Sequence, residues 1–227
     1  DIKVLLENGA DIETRDELGN TPLLIATMNN NVDLIKLLLQ HGAKVDGNQG
    51  DTYTAIFAAT SEDNLEIVKL LVENNANVNN QDLVEMASRN GNFQMIKLFF
   101  ENGAKLDFKD RYGFTLINVA SLRGDLEIVK FLLDKGLTVN DKGDDGSTSL
   151  ISASANGYPE IVKILLENEA QINEKNNDGE TPLILASKEG HIEVVKLLLE
   201  NGANIDDKSN DGLTSIAIAS KNGHSEI

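Results

Sequence analysis

A two-residue step recurs along this chain at a spacing of 33 residues, and a spacing that regular restricts the fold to a stack of like units. The steps are Gly9-Ala10, Gly42-Ala43, Asn75-Ala76, Gly103-Ala104, Gly136-Leu137, Glu169-Ala170 and Gly202-Ala203. Only Gly103-Ala104 breaks the spacing, following its predecessor after 28 residues. Full units then run over 11–43, 44–76, 77–104, 105–137, 138–170 and 171–203, with partial units at 1–10 and 204–227.

Each unit carries two short helical patterns. GNTPLLIA (19–26) and GETPLILA (179–186) open the first, with threonine placed to cap and proline at the first helical position. HIEVVKLLLENGA (191–203) is the second: Glu193, Lys196 and Glu200 share one face, and Val194, Val195, Leu198 and Leu199 cover the rest. Gly202 suits the left-handed position that ends it. Two helices this short cannot bury an apolar face without neighbours, so the periodicity implies a solenoid.

The stretch TPLILASKEGHIEVVKLLLENGANID (181–206) resembles an ankyrin repeat, and the resemblance extends over the whole chain. It implies an all-α repeat solenoid in a single domain over 1–227, with six full and two partial repeats. Each repeat would be a helix-turn-helix plus a β-hairpin or loop finger, and the concave face would grip other proteins. The family's usual histidine in the TPLH turn is replaced by Leu24, Phe57, Glu85, Asn118, Ile151, Ile184 and Ala217, so the fingers must be braced differently. Glu169 stands where glycine is expected, at a cost of about 1 kcal/mol if its backbone is left-handed. The chain begins inside a second helix and stops at the start of another, and so reads as a piece of a longer array.

The irregular spacing maps to one finger. From the step alanine to the first-helix alanine the distance is 16 residues in Ala10–Ala26, Ala43–Ala59, Ala104–Ala120 and Ala170–Ala186, but 11 in Ala76–Ala87. Five residues are thus missing before LVEMASRNG, while both helices of that repeat survive. Two readings stand: drift in a tolerant surface loop, or a notch that admits a bulky partner element.

In ankyrin proteins the variable contact positions are the fingertip, the residue before TPL and the two residues ending the first helix. Carried onto this chain they mark Tyr53, Arg89, Arg111, Tyr112, Phe114, Leu122 and Arg123 as partner-binding candidates. All four arginines, Arg15 included, fall on such positions, and arginine and tyrosine are enriched at interface hot spots. The alternative for Phe114 and Leu122 is a secondary core between fingers.

Other features point to structure. Lys3, Lys36, Lys69, Lys97, Lys130, Lys163 and Lys196 form a solvated ladder on the second helices. His41, His191 and His224 have no nucleophile or metal-spaced companion. DKGDDGSTSLIS and DKSNDGLTSIAI lack the third- and twelfth-position ligands of a calcium loop, so Asp145-Gly146, Asp178-Gly179 and Asp211-Gly212 read as turn residues. No catalytic constellation, cofactor motif or metal site emerges, and the chain reads as non-enzymatic. It has no cysteine, and a formal net charge of −17 disfavours nucleic acid and anionic membrane as partners. The expectation is an intracellular module, cytoplasmic or nuclear, that binds a protein partner with a basic segment. The alternatives are a regulatory, targeting or assembly segment of a larger enzyme or channel, and a substrate of asparaginyl hydroxylases at Asn79, Asn140 and Asn173.

Overall fold

The computed structural model describes residues 2–48, 51 and 53–227. Among them are fourteen helices and one isolated antiparallel bridge, Lys109 to Thr115. The chain divides into two compact units, residues 1–105 and 106–227.

The first unit holds α1 (Ile2–Glu7), then α2 (Pro22–Met28) paired with α3 (Val32–Gln40), α4 (Ala55–Ser61) with α5 (Leu65–Glu73), and α6 (Gln81–Arg89) with α7 (Phe93–Glu101). The second holds α8 (Leu116–Arg123) with α9 (Leu126–Asp134), α10 (Ser149–Ala155) with α11 (Pro159–Glu167), α12 (Pro182–Glu189) with α13 (Ile192–Glu200), and α14 (Ser215–Asn222). Within each unit the first helices of the pairs stack on one another, α2–α4–α6 and α8–α10–α12–α14, and the second helices pack behind them.

Local chemistry sets the ends of these helices. The hydroxyls of Thr21, Thr54, Thr115, Thr148 and Thr181 each accept the backbone N–H three residues on, satisfying a donor that the helix leaves open. The first helices α2, α4, α8, α10 and α12 bury most of their residues, whereas the second helices bury one face. Ile67, Val68 and Leu71 of α5 have their counterparts in Ile128, Val129 and Leu132 of α9 and Ile161, Val162 and Leu165 of α11, all at most 2% exposed. Each such side chain contributes about 1.5–3 kcal/mol of burial. α1, by contrast, buries none of its residues.

Four residues of the described chain other than glycine have left-handed backbone: Asn30, Asp63, Asn75 and Glu169, with φ of 53°, 54°, 67° and 65°. Glu169 therefore carries the strain its sequence position implies, and Asn75 meets the same demand with a residue that tolerates it better.

The repeat with the short finger differs in its helix as well. α6 starts at Gln81, six residues before Ala87, whereas α4 starts at Ala55, four before Ala59. Two residues that would otherwise extend the finger have joined the helix, leaving residues 77–80 as the connection. Asn80 caps it by accepting the Asp82 N–H at 2.9 Å. A cap, not a hairpin, is what four residues can supply.

Candidate functional site

The fingers of the second unit are tied to each other by a repeated set of bonds. At the tip, the Asp144 N–H donates to the Tyr112 carbonyl, Asn177 to Asp145 and Asn210 to Asp178, each at 2.9 Å. Nearer the base, lysine ammonium groups reach forward one finger: Lys109 to the Lys142 carbonyl at 3.3 Å, Lys142 to Lys175 at 3.0 Å, and Lys175 to Lys208 at 3.1 Å. Lys142 and Lys175 are also ion-paired, with Glu174 at 2.6 Å and Asp207 at 3.1 Å. The turns close on Gly113, Gly146, Gly179 and Gly212, whose φ of 72–78° only glycine adopts freely. The Asp-Gly steps are thus turn elements, and the Asp145 carboxylate is occupied by the Ser147 N–H and hydroxyl at 2.8 and 2.9 Å.

Tyr112 and Arg111 occupy one tip of this row. Tyr112 is 55% exposed, and the Arg111 guanidinium lies over its ring at 5.4 Å from the centroid. Leu122, at the end of α8, is 47% exposed. Phe114 is half-buried: its ring lies against Gly143, where a Cβ atom would come within 2.4 Å of it. That is the inter-finger packing left open as an alternative for Phe114. Arg123 is exposed and ion-paired with Asp125 at 2.8 Å.

In the first unit, Tyr53 is 45% exposed and tilts against Phe57 at 5.4 Å between centroids. Arg89, at the end of α6, is held by Glu85 at 2.5 Å. Arg15 is not free for a partner: it makes two bonds to the Asp51 carboxylate, at 2.6 and 3.2 Å, and one to the Gly19 carbonyl at 2.7 Å. This pairing holds the Arg15 guanidinium above its ordinary value and the Asp51 carboxyl below its own. A cleft of about 240 Å³ lies beside the pair, with Tyr53 and Leu18 among its walls.

Sequence reasoning passed over two residues. Leu18, 86% exposed, is the tip residue equivalent to Tyr112, and Met28, 53% exposed, is the helix-end residue equivalent to Leu122. Counting back from the turn glycine and forward from the helix alanine would have found both.

The bracing that replaces the missing histidines is now visible. Asn118, 1% exposed, accepts the Thr115 N–H and hydroxyl at 2.9 and 2.7 Å. Its Nδ2 donates to the Asp141 carbonyl and the Ser149 hydroxyl, both at 3.2 Å, so one side chain joins a turn, a helix start and the next finger. His191 and His224 contact the Ala155 and Lys188 carbonyls through Nε2 at 3.1 and 3.0 Å, and His41 contacts the Leu37 carbonyl. Asn140 is engaged at both ends, by the Glu169 carbonyl at 3.1 Å and the Gln171 N–H at 2.9 Å; Asn173 accepts the Asn204 N–H at 2.9 Å. Glu180, 8% exposed, pairs with Lys188 at 2.9 Å, which holds the lysine above its ordinary value.

Among the described residues no group of three or more His, Cys, Asp or Glu side chains is placed to hold a metal, and no helix is long and apolar enough to cross a membrane. A search of curated proteins returns no match. A family model described as ankyrin repeats in three copies matches residues 1–82, 84–176 and 170–227. With stacked helix pairs, glycine-closed fingers and that match along its length, the chain belongs to the ankyrin-repeat family.

Proposed function

We propose that this chain binds a protein partner through exposed finger and first-helix residues, with Tyr112, Arg111 and Leu122 as anchors. Ankyrin repeats are generally protein-interaction modules, and the choice of face is the step beyond that. The observation that carries it is the fingertip: a large aromatic 55% exposed beside an arginine whose guanidinium lies over its ring. Such a pair offers a partner broad apolar area and directed hydrogen bonds at little ordering cost.

In the first unit Tyr53, Leu18 and Met28 are the exposed residues at the corresponding kinds of position, and Tyr53 is a contact there. Arg89 in the first unit and Arg123 in the second are second-rank contacts, because each must first exchange its own carboxylate, Glu85 or Asp125, for the partner's. Phe114 supports the tip from beneath by packing on Gly143. The tip aspartates Asp144, Asp178 and Asp211 are exposed, and they favour a partner with a basic segment.

The test is affinity capture from the native cell with the intact chain and with an Arg111→Ala/Tyr112→Ala variant of equal helicity. A protein held by the first and lost by the second supports the reading. Equal capture by both places the contact elsewhere.

A further inference from the structure

Successive fingers of the second unit are closed against one another, by main-chain bonds at the tips and by Phe114 packed on Gly143. In the first unit the fingers at residues 11–20 and 44–54 are joined differently. Arg15 stands where Lys109, Lys142 and Lys175 stand in the later fingers, four residues before the turn glycine. Instead of a main-chain carbonyl it takes the Asp51 carboxylate of the next finger, at 2.6 and 3.2 Å. A second tie joins the Glu13 carboxylate to the Lys44 N–H at 2.8 Å. Beside these ties lies the cleft of about 240 Å³.

The polar groups of its walls are already engaged. Arg15 holds Asp51, the Lys44 ammonium donates to Asn48 at 3.1 Å, the Asp46 carboxylate accepts the Asn77 N–H at 2.9 Å, and Asn20 donates to Asp16 at 2.9 Å. What the cleft offers an occupant is therefore apolar surface. Leu23, Leu24 and Ala55 wall it on the helix side at 2–7% exposure, and Leu18 and Tyr53 stand open to solvent at 86% and 45%. The Tyr53 ring is itself backed by Phe57 at 5.4 Å between centroids. Cavities of about 150 Å³ with apolar walls accept a benzene ring, so this one has room for an aromatic side chain. Asp16 and Glu17, both exposed, lie directly before Leu18 and give this side of the cleft a negative rim.

We propose that the cleft between the fingers at 11–20 and 44–54 takes an aromatic side chain of the partner protein, and that the residue beside that aromatic is basic. This deepens the functional reading above and rests on it, supplying the contact that the first unit makes. The ring gains area against Leu18 and an offset or edge-on contact with Tyr53. The neighbouring cation meets the Asp16 and Glu17 rim, which selects the partner by charge complementarity.

The probes are three capped dipeptides, acetyl-Phe-Arg-amide, acetyl-Phe-Glu-amide and acetyl-Ala-Arg-amide, each titrated into the intact chain carrying ¹³C-labelled leucine and valine methyl groups. One buried ring and one rim charge correspond to a Kd in the millimolar range. The Phe-Arg peptide should shift the Leu18, Leu24 and Val45 methyl resonances through its ring current, and at low salt should bind about fivefold more tightly than the Phe-Glu peptide. The Ala-Arg peptide should leave those resonances in place. Leu18→Ser/Tyr53→Ser, at two exposed positions, should weaken the Phe-Arg peptide about tenfold, whereas Leu122→Ser in the second unit should not change it. Equal shifts with Phe-Arg and Ala-Arg, equal affinity for Phe-Arg and Phe-Glu, or undiminished binding by the double variant each overturn the proposal. A partner lost on Arg111→Ala/Tyr112→Ala but held in full by Leu18→Ser/Tyr53→Ser overturns it too, while keeping the broader reading.

Discussion

Buried serines give the sharpest residue-scale test of how the helices pack. Ser88, Ser121, Ser154 and Ser187 follow the first-helix alanine in successive repeats, are 0% exposed, and have hydroxyls without a partner in the protein. Thr27 and Thr60, at the same position, bond back to the Leu23 and Ile56 carbonyls at 2.9 and 2.7 Å. The position demands a small side chain between closely packed helices, and the hydroxyl is an added cost. Ser154→Ala and Ser187→Ala should each stabilise the chain by about 1 kcal/mol in urea unfolding, from removing an unpaired polar group and raising helix propensity. Destabilisation by either would show that the hydroxyl has a partner after all. Glu169→Gly tests the other residue-scale cost: relief of a left-handed glutamate should raise stability by about 0.5–1 kcal/mol, and no gain would mean the strain is absorbed elsewhere. The position of Glu169 was legible because one glycine line runs through the whole sequence. That Asn118 does the work of a histidine was not, since its partners Asp141 and Ser149 lie in the next repeat.

At the turn that joins the two helices of a pair, two solutions to one packing problem appear. In the second unit Tyr158, His191 and His224 lay their rings on Gly124, Gly157 and Gly190 of the preceding pair. In the first unit the equivalent contact is made by asparagine, Asn64 to Asn30 at 2.7 Å and Asn92 to Asp63 at 2.8 Å. Glycine at 157 therefore has two reasons, a φ of 72° and a ring that would sit 2.5 Å from a Cβ atom; Gly136, with a φ of 78° and nothing within 4 Å, has one. Gly157→Ala should cost about 2 kcal/mol or more and Gly136→Ala about 1 kcal/mol, both read from urea midpoints. Equal costs would reduce the ring contact to coincidence. The helices themselves were readable from threonine caps and apolar spacing, and so was the loss of five residues from one finger. The longer α6 was not, because Gln81 and Asp82 resemble loop residues until a short connection leaves them no loop to join. Arg15 misled for a related reason: its partner Asp51 lies 36 residues away, outside any comparison made within one repeat.

Over the whole molecule, stability should follow burial. α1 buries no residue, whereas Ile128, Val129 and Leu132 of α9 are at most 2% exposed. Amide exchange in α1 should be near that of an unfolded segment while 128–133 stays protected; equal protection in the free chain would contradict a stack held by nearest-neighbour contacts. Of the candidate surface, composition pointed to Arg111 and Tyr112, and both are exposed. Weighting arginine and tyrosine also hid Leu18 and Met28, whose interest lies in position and exposure rather than residue type. We propose that Tyr112 and Arg111 hold the partner while the aspartate-rich tips guide it in. Surface plasmon resonance with the captured partner at two salt concentrations separates these roles. Tyr112→Ala or Arg111→Ala should weaken binding by about 2 kcal/mol through faster dissociation at both salts. Asp144→Asn/Asp178→Asn should slow association only at low salt, since screening shortens to about 8 Å at physiological strength. Normal binding by both alanine variants, with the aspartate variant dissociating faster at both salts, would put the grip on the other fingers and contradict the account.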